Sequence, residues 1–243
     1  MKSVSSTALS GAVTVVTGGG RGIGHAIVTR LAEMDATVII TGRDESRVQH
    51  AARDLTARGH RCVGVACDVT DLASVEALGE RLRRDYGRAD ILVNNAGISG
   101  PSGLLHELAP GDWDAIFNTN LRGVYYMLRA IVPLMIETGS GHIINISSLA
   151  GKNPLPRGAA YSASKWGLNG LTYGVAEELR AQNIRVSVVC PGSVNTDFSA
   201  RRQGKETSKM LQPDDVAHAV AMLVTQEPQS FISEVLIRPT QKP

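Results

Sequence analysis

Residues 12–24 read AVTVVTGGGRGIG, in which an apolar run of strand type passes directly into a glycine-rich turn and then into a helical pattern. Glycines permit a tight turn and let backbone N–H groups approach an anion, and the N-terminus of a helix adds partial positive charge. The stretch therefore predicts a strand–turn–helix unit that binds a pyrophosphate. An ordinary loop is the alternative, but the position directly after the first strand argues against it. The strict GxGxxG spacing is absent, and the glycines instead stand at Gly18, Gly22 and Gly24.

The alternation of strand and helix patterns continues along the chain. Helical patterns separate apolar, β-rich runs, as in repeated βαβ units. We therefore predict an α/β fold, a doubly wound parallel sheet of about seven strands with helices on both faces. The strand runs are Ala12 to Thr17, Thr37 to Thr41, Cys62 to Ala66, Asp90 to Asn94, His142 to Ile146, Ile184 to Val189 and Glu234 to Ile237. The helical patterns are His25 to Met34, Asp44 to Arg58, Asp71 to Tyr86, Asp112 to Glu137, Ala159 to Ala181 and Pro213 to Val224.

The composition agrees with this fold. A chain of 243 residues has the length of one large domain or two small ones, and no Pro/Gly/Ser-rich linker divides it, so residues 1–243 are predicted to form one domain. With 43% hydrophobic and only 4% aromatic residues, the core must consist mainly of aliphatic side chains, which suits a buried parallel sheet. The net charge of +2 is too small for a nucleic-acid-binding surface.

The sequence favours a cytoplasmic protein that does not enter a membrane. No apolar run approaches the roughly eighteen residues of a transmembrane helix. The first ten residues, MKSVSSTALS, are too polar for a secretory signal. Cys62, Cys67 and Cys190 are too few and too irregularly spaced for a disulfide framework, so reduced thiols are expected. The six histidines show no metal-ligand spacing, and we predict no metal site.

The end of the second strand bears on cofactor choice. Dinucleotide-binding folds that select NAD usually place an acidic side chain there, where it binds the ribose 2′-hydroxyl. This chain has Gly42 at that position, followed by Arg43, and Arg21 lies in the glycine-rich turn. Two guanidinium groups could bind a 2′-phosphate, although each could also be an ordinary solvated arginine. The pattern predicts NADP(H) as the cofactor.

Two further segments end neighbouring strands. Asp68 follows the third strand, where a carboxylate can accept a hydrogen bond from an adenine amino group. It could instead cap the helix predicted over 71–86, although Thr70 is the better capping candidate. The run Asn94-Asn95-Ala96-Gly97 follows the fourth strand and could be a simple Asx turn.

Tyr161 and Lys165 stand four residues apart in a helical pattern, so they share one helix face. A free phenol has a pKa near 10, but a neighbouring lysine cation favours its phenolate form. Such a tyrosine can donate a proton to a carbonyl oxygen and recover it in the reverse direction. The same spacing also occurs between a tyrosine and a lysine on the exposed face of an ordinary helix.

Serine and asparagine candidates lie upstream. Ser147 and Ser148 follow the strand HIINI, and the carboxyl end of a strand is where ligands bind in open α/β sheets. Of the two, Ser148 is the candidate for binding a substrate oxygen. Asn120 lies within the segment WDAIFNTNL, and an asparagine competes with the backbone hydrogen bonds of a helix. Asn118 is the neighbouring alternative.

Taken together, the motifs TGxxxGxG, NNAG, YxxxK and PGxVxT, with Asn120 and Ser148 between them, resemble the short-chain dehydrogenase/reductase family. Ser148 precedes Tyr161 by 13 residues, which matches the family spacing, and the resemblance covers residues 10–197. It implies a Rossmann fold and an NADP(H) site. The implied cofactor-binding residues are Gly18, Gly20, Arg21, Gly22, Ile23, Gly24, Arg43, Asp68, Val69, Asn95, Ala96, Gly97, Tyr161, Lys165, Pro191, Gly192, Val194 and Thr196.

The resemblance also implies a mechanism. Hydride passes between the nicotinamide and the substrate carbon, and Tyr161 supplies the proton, supported electrostatically by Lys165. In the family pattern, Ser148 binds the substrate oxygen and Asn120 holds a water linked to Lys165. No GxSxG elbow is present, which argues against a hydrolase.

The C-terminal segment differs from that of many bacterial 3-oxoacyl-carrier-protein reductases, which the rest of the chain resembles. Many bacterial 3-oxoacyl-carrier-protein reductases have a Gly-Gly segment after the last strand, whereas residues 230–240 read SFISEVLIRPT. Three functions therefore stay open. The first is an NADPH-dependent reductase of a ketone or a 3-oxoacyl thioester, with an acyl carrier protein as a potential partner. The second is an NADP-dependent dehydrogenase of a small polyol or β-hydroxy acid, and the third is a dinucleotide-binding regulator without turnover.

Loops are expected to form the substrate pocket, at Ile98 to Leu105, Gly151 to Arg157 and Asn195 to Leu211. The polar segment over residues 195–212 is predicted to be a mobile substrate loop.

The patterns over Asp112 to Glu137 and Ala159 to Ala181 are more apolar than one face against a sheet requires. Family members pair these two helices and often associate again through the last strand. The resemblance therefore implies a homotetramer, with a dimer as the alternative.

Overall fold

A computed structural model of the chain describes residues 7–200 and 206–241. Its centre is a parallel sheet in the order β3-β2-β1-β4-β5-β6-β7, which confirms the predicted doubly wound α/β fold. Each predicted run corresponds to one strand of the sheet, and the bounds differ by at most two residues at either end. The strands are β1 (Val13–Thr17), β2 (Thr37–Gly42), β3 (Cys62–Ala66), β4 (Ile91–Asn94), β5 (Gly141–Ile146), β6 (Ile184–Pro191) and β7 (Glu234–Ile237).

Helices cover both faces of the sheet. The first face packs on α1, α2 and α8, and the second on α3, α5 and α6. Neighbouring residues of one strand point to opposite faces, as Val15 and Val16 of β1 do, and both are fully buried. The helices are α1 (Gly22–Glu33), α2 (Glu45–Ala57), α3 (Leu72–Tyr86), α4 (Pro110–Phe117), α5 (Gly123–Thr138), α6 (Ala159–Leu179), α7 (Asp197–Ala200) and α8 (Pro213–Val224).

Two local expectations were wrong. The helix predicted over Asp112 to Glu137 is divided, because a π-helical turn, Asn118–Arg122, separates α4 from α5. Such turns hold an extra residue and often occur at functional sites. At the start of α3, Asp71 and not Thr70 is the N-cap, with its carboxylate accepting a hydrogen bond from the Ala73 N–H at 3.1 Å.

The strand order places a crevice at one edge of the sheet. The chain moves outward from β1 to β2 and β3, then returns to the other side of β1 with β4. Helices that follow β1 and β4 thus leave in opposite directions, and ligands of open α/β sheets bind at this point, outside the carboxyl ends of the strands. The glycine-rich turn and the Asn94–Gly97 segment both lie there.

Within residues 7–200 and 206–241, no helix has the length and apolar character needed to cross a membrane. The three cysteines are free thiols. The same part of the chain holds no group of three or more His, Cys, Asp or Glu side chains placed to bind a metal ion.

A buried histidine lies at the other end of the sheet from this crevice. His142 on β5 is 2% exposed, and its Nε2 lies 2.8 Å from the Ser187 hydroxyl. Burial, together with the charge of Arg185, lowers the pKa of His142 to about 3. The unfolded chain therefore binds a proton near pH 6.5 that the folded chain does not bind.

We expect the free energy of unfolding to decrease as the pH falls from about 6.5 towards 3, with a His142 contribution of at most about 1.4 kcal/mol per pH unit. Urea unfolding of the wild type and of His142→Gln at pH 7 and pH 5 measures this contribution. The Gln variant should lose less stability between the two pH values than the wild type does. An equal loss in both proteins would show that His142 does not titrate on unfolding.

Candidate functional site

One cleft of about 830 Å³ runs along the carboxyl edge of the sheet. Of the catalytic and cofactor-binding residues assigned from the family resemblance, Asn120 and Val194 do not line it. The others that line it are Gly18, Gly20, Arg21, Gly22, Ile23, Gly24, Arg43, Asp68, Val69, Asn95, Ala96, Gly97, Ser148, Tyr161, Lys165, Pro191, Gly192 and Thr196.

The glycine-rich turn needs glycine for its backbone and its contacts. Gly18 and Gly22 have φ values of +64° and +54°, in the left-handed region. A Cβ atom on Gly24 would lie 2.3 Å from the Gly18 carbonyl oxygen, so α1 can approach β1 only without a side chain there. The turn thus packs tightly against β1, and the backbone at the N-terminus of α1 lies next to the cleft.

The Asn94–Gly97 segment fastens β4 to this turn. The Asn95 side-chain amide donates to the carbonyl oxygens of Thr17 at 2.9 Å and Gly18 at 3.2 Å. In return, the Thr17 hydroxyl accepts from the backbone N–H groups of Asn95 and Ala96, each at 3.0 Å. The segment is therefore more than an isolated Asx turn, because it sets the separation of the two strands at the crevice.

Three arginines line the cleft. Arg21 and Arg43 both have exposed side chains, and Arg21 makes a 3.8 Å ion pair with Asp197. Arg47, on the first turn of α2, also lines the cleft and packs over Gly20, where a Cβ atom would lie 3.0 Å from the Arg47 Cγ. Sequence reasoning missed Arg47, although its position four residues after Arg43 was an available signal.

An acid in the same region is already bound within the protein. The Asp44 carboxylate accepts from the Ser46 hydroxyl at 2.8 Å and caps α2 through the Arg47 N–H at 3.1 Å. These hydrogen bonds, the one from Ser46 first, lower the pKa of Asp44. Asp44, the acidic residue nearest to Gly42 along the chain, thus caps the N-terminus of α2.

Asp68 binds its own loop. Its Oδ1 accepts from the Thr70 N–H at 2.9 Å and from the Thr70 hydroxyl at 2.8 Å. Asp68 is not the cap of α3, and it lines the cleft together with Val69. One carboxylate oxygen is engaged by Thr70, and the Asp68 backbone N–H donates to the Ser74 hydroxyl at 3.1 Å.

Tyr161 and Lys165 lie side by side on the first turns of α6, as their spacing predicts. Both are buried, at 7% and 4% exposure, and the Lys165 Nζ lies 6.0 Å from the centroid of the Tyr161 ring. Nζ donates to the Ile146 carbonyl oxygen at 2.8 Å. Burial lowers the pKa of Lys165 to about 8. The ammonium is therefore present at neutral pH but costs free energy to keep inside the protein.

Ser148 begins a short 3₁₀ turn, Leu149–Gly151, which we call the serine turn. Its hydroxyl accepts from the Ala150 N–H at 3.1 Å and faces the cleft that Tyr161 also lines. The Ser147 hydroxyl points inward and donates to the Lys165 carbonyl oxygen at 3.3 Å, as expected of a structural neighbour. β5 and α6 are thus joined directly behind the site.

Asn120 lies in the π-helical turn, fully buried behind the cleft wall. Its side chain accepts from the Ile98 N–H at 2.8 Å, and donates to the Ile98 carbonyl oxygen at 2.9 Å and the Ser164 hydroxyl at 3.0 Å. A Cβ atom on Gly97 would lie 3.3 Å from the Asn120 Oδ1 and 3.7 Å from the Lys165 Nζ. Asn120 and Lys165 therefore flank the same point.

The PGxVxT segment closes the cleft from the side of β6. The Gly192 N–H donates to the Ile237 carbonyl oxygen at 2.8 Å, and Val194 forms a parallel bridge with Leu211. Thr196 contacts the glycine-rich turn, since a Cβ atom on Gly22 would lie 3.4 Å from its methyl group. The segment therefore lies against the glycine-rich turn.

Parts of the three loops that were predicted to form the substrate pocket line the cleft. Ile98, Asn153, Pro154 and Leu155 line the cleft, and the Phe198 ring lies 6.1 Å from the Tyr161 ring, centroid to centroid. Residues 201–205 of the predicted substrate loop lie outside the described residues, so the loop prediction stays a prediction.

Comparisons with known proteins agree with this geometry. A family model described as short chain dehydrogenase matches residues 12–207. An uncharacterized oxidoreductase of Staphylococcus aureus (strain USA300) is 34% identical over 233 residues, which cover 96% of this chain and 99% of the relative.

Two solved structures are also similar. One is a metagenomic short-chain oxidoreductase in complex with NADP, with 48% identity, a TM-score of 0.86, and coverage of 97% of this chain and 100% of that chain. The other is a variant of actinorhodin polyketide ketoreductase with NADPH, with 32% identity, a TM-score of 0.86, and coverage of 96% and 97%. On its fold, its matched residues and these relatives, the chain belongs to the short-chain dehydrogenase family.

Proposed function

We propose that this protein is an NADP(H)-dependent oxidoreductase that reduces a carbonyl group to a secondary alcohol. The observation that carries the proposal is the pairing of Tyr161 with the buried Lys165 in the same cleft as the glycine-rich turn. A proton donor and a dinucleotide cradle thereby share one continuous site. The activity is the reversible conversion of C=O and CH–OH, as in the family.

The residues present fit NADP(H). The glycines of the turn leave room for a pyrophosphate beside the backbone, and the turn leads into α1, whose N-terminus favours an anion. Arg21, Arg43 and Arg47 supply positive charge where a 2′-phosphate would lie, and the two similar structures named above contain NADP or NADPH. Asp68 would bind the adenine, and the PGxVxT segment the nicotinamide. The bound cofactor supplies the hydride.

The chain's own residues then handle the proton and the substrate oxygen. Tyr161 donates its phenolic proton to the oxygen, and Ser148 orients that oxygen with a hydrogen bond. The Lys165 ammonium stabilises the phenolate that Tyr161 leaves behind. Asn120 is proposed to hold a water linked to Lys165. The proposal is supported by the Asn120 Oδ1 and the Lys165 Nζ, which both lie within 4 Å of one point beside Gly97.

The substrate side favours an uncharged carbonyl compound. Its described lining is mainly apolar, with Ile98, Leu149, Pro154, Leu155 and Phe198, and the Asp197 carboxylate that also lines the cleft is paired with Arg21. Ketones and 3-oxoacyl thioesters, free or carried by an acyl carrier protein, are the proposed substrates. Dehydrogenation of a hydroxy compound would use the same residues in reverse. A regulator without turnover is disfavoured, because Tyr161 and Lys165 are both present.

A direct assay tests this function. The purified protein is incubated with NADPH and ketones or 3-oxoacyl thioesters, and with NADP⁺ and polyols or β-hydroxy acids, and the product is identified by chromatography. We expect NADPH consumption matched by secondary alcohol formation with at least one carbonyl class. NADPH binding without turnover in either direction would instead support the regulator.

A homotetramer is proposed for the assembly. Large apolar side chains stay exposed on two helices and on the last strand, with Tyr125 of α5 at 50%, Trp166 of α6 at 53% and Leu236 of β7 at 49% exposure. Contact between copies through these helices, and through β7, would bury them. A cytoplasmic location remains a prediction from the sequence.

Light scattering on the purified protein at micromolar concentration should give the mass of a tetramer. Leu236→Arg introduces a charge on β7 and is expected to reduce the tetramer to a dimer, because it leaves the helices unchanged. A monomeric wild type would contradict both forms of the proposal, and a tetramer that survives Leu236→Arg would exclude the contact through β7.

A further inference from the structure

Three polar side chains from distant parts of the sequence meet beside the serine turn. Lys152 directly follows the turn, Tyr173 lies on α6, and Glu234 is the first residue of β7. The Lys152 Nζ lies 2.6 Å from the Glu234 Oε1 and donates to the Tyr173 hydroxyl at 2.5 Å. The Tyr173 hydroxyl in turn donates to the same Oε1 at 3.0 Å. The three groups form a closed triangle, which we call the edge triad.

The edge triad is better sheltered than an ordinary surface ion pair. The side chains of Lys152 and Glu234 are only 25% and 29% exposed, and the Lys152 ammonium also lies 5.1 Å from the centroid of the Tyr173 ring. Partial burial opposes the charge of Lys152, but the hydrogen bonds to Glu234 and Tyr173 raise its pKa above the ordinary value. These hydrogen bonds therefore favour the charged form of Lys152 beside Glu234.

The sheet fixes the position of Glu234. β7 pairs in register with β6, with Glu234 opposite Val188, and the Val188 N–H donates to the Ser233 carbonyl oxygen at 2.9 Å. Further along β7, Ile237 accepts from the Gly192 N–H. The last strand thus contacts Lys152, directly after the serine turn, and the PGxVxT segment, so it borders the candidate site on two sides.

The serine turn is held from behind as well. The buried Asn169 side chain, one helical turn after Lys165, donates to the Gly151 carbonyl oxygen at 2.8 Å. Within the turn, the Lys152 N–H donates to the Leu149 carbonyl oxygen at 3.0 Å. Of the three residues of the edge triad, Lys152 alone belongs to the segment directly after Ser148. It is followed in the chain by Asn153, Pro154 and Leu155, which line the cleft.

We propose that Lys152 and Glu234 are positioning residues, which hold the serine turn and the lining segment after it against the last strand so that Ser148 can orient the substrate oxygen. This inference rests on the proposed carbonyl reduction. It also gives a role to the SEVLIRPT segment, which departs from the pattern of the 3-oxoacyl-carrier-protein reductases and supplies Glu234.

Steady-state kinetics with NADPH and a carbonyl substrate from the screen test the positioning role. Lys152→Met and Glu234→Gln should each lower kcat/KM for the carbonyl substrate by about tenfold, the size expected for a partly buried, charged hydrogen bond. The Kd for NADPH should stay unchanged. The double variant should be no worse than either single variant, because both remove the same link. Lys152→Arg, which can still bind Glu234, should restore most of the activity.

A second ion pair provides the matched control. Glu137→Gln removes the Arg83–Glu137 pair, which joins α3 to α5 away from the cleft with a distance of 2.6 Å. It should leave kcat/KM unchanged even where it lowers Tm as much as Glu234→Gln does. If Lys152→Met and Glu234→Gln also lower only Tm, the edge triad merely stabilises the sheet edge and the proposal is wrong. The proposal would also be wrong if the decrease in kcat/KM of the double variant equalled the product of the two single decreases.

Hydrogen exchange gives a readout that needs no turnover. Backbone amides of residues 149–153 and of Leu155 should exchange about tenfold faster in Lys152→Met than in the wild type, and at the wild-type rate in Glu137→Gln. Unchanged exchange in Lys152→Met would show that the turn does not depend on the edge triad. If the wild type exchanges as expected but reduces no carbonyl compound, the proposed function fails while the anchoring of the turn stands.

Discussion

Replacing Tyr161 by Phe is expected to lower kcat for carbonyl reduction by about a thousandfold, while the Kd for NADPH stays within about twofold of the wild-type value. The change removes only the phenolic oxygen, so the aromatic ring keeps its packing beside Phe198. The substrate oxygen then lacks its proton donor, whereas the glycine-rich turn and the arginines stay intact. Single-turnover absorbance at the nicotinamide band and a fluorescence titration with NADPH measure the two quantities.

Lys165→Ala is the companion variant and should impair both quantities. It removes the cation beside Tyr161 and leaves the Ile146 carbonyl oxygen without the 2.8 Å hydrogen bond that it accepts in the wild type. A Tyr161→Phe enzyme that kept more than a few per cent of kcat would contradict this assignment. The proton would then come from Ser148 or from water.

Cofactor selectivity should give the second large effect. We expect the wild type to prefer NADPH over NADH by at least about tenfold in kcat/KM, which corresponds to about 1.4 kcal/mol. The reason is that Gly42 offers no carboxylate to a ribose 2′-hydroxyl, whereas Arg21 and Arg43 can bind a 2′-phosphate. In Gly42→Asp combined with Arg43→Leu, the preference should partly reverse, because a carboxylate repels the phosphate and one cation is gone.

The structure supplies a control for this variant. A Cβ atom on Gly42 would lie 3.2 Å from a methyl group of Val48, so any side chain there must displace its neighbour slightly. Gly42→Ala measures that steric effect alone and should weaken both cofactors alike. Arg47→Leu asks whether the arginine that the sequence did not reveal contributes as well. Equal or better kcat/KM with NADH in the wild type would defeat the prediction.

The inner strands, such as β1 and β4, were predictable because helices bury both of their faces, so that each reads as a continuous apolar run. The edge strands β3 and β7 are only partly buried. The motifs at the carboxyl ends of the inner strands were predictable for a related reason, since β1, β4 and β5 each end in a segment that lines the cleft. The resemblance to the family added the candidate roles, which the geometry alone does not test.

The rest depends on details that a sequence pattern does not contain. A π-helical turn inserts one residue without changing the apolar character of its flanks, so Asn118–Arg122 read as regular helix. Thr70 and Asp71 are both good capping residues, and which of them is the N-cap depends on whether the helix begins at residue 71 or 72. Lys152 and Glu234 come together only because β7 pairs with β6, and no local pattern shows which strand lies beside which.

The π-helical turn also makes α4 and α5 unusually sensitive to chain length. A π turn accommodates one residue more than a regular helix, at some cost in hydrogen-bond geometry. Loss of a single codon within Asn118–Arg122 would let the two helices continue as one regular and more stable helix. The same loss would withdraw Asn120 from Ile98 and Ser164. Such a deletion would therefore exchange the polar contacts of Asn120 behind the candidate site for a more regular helix.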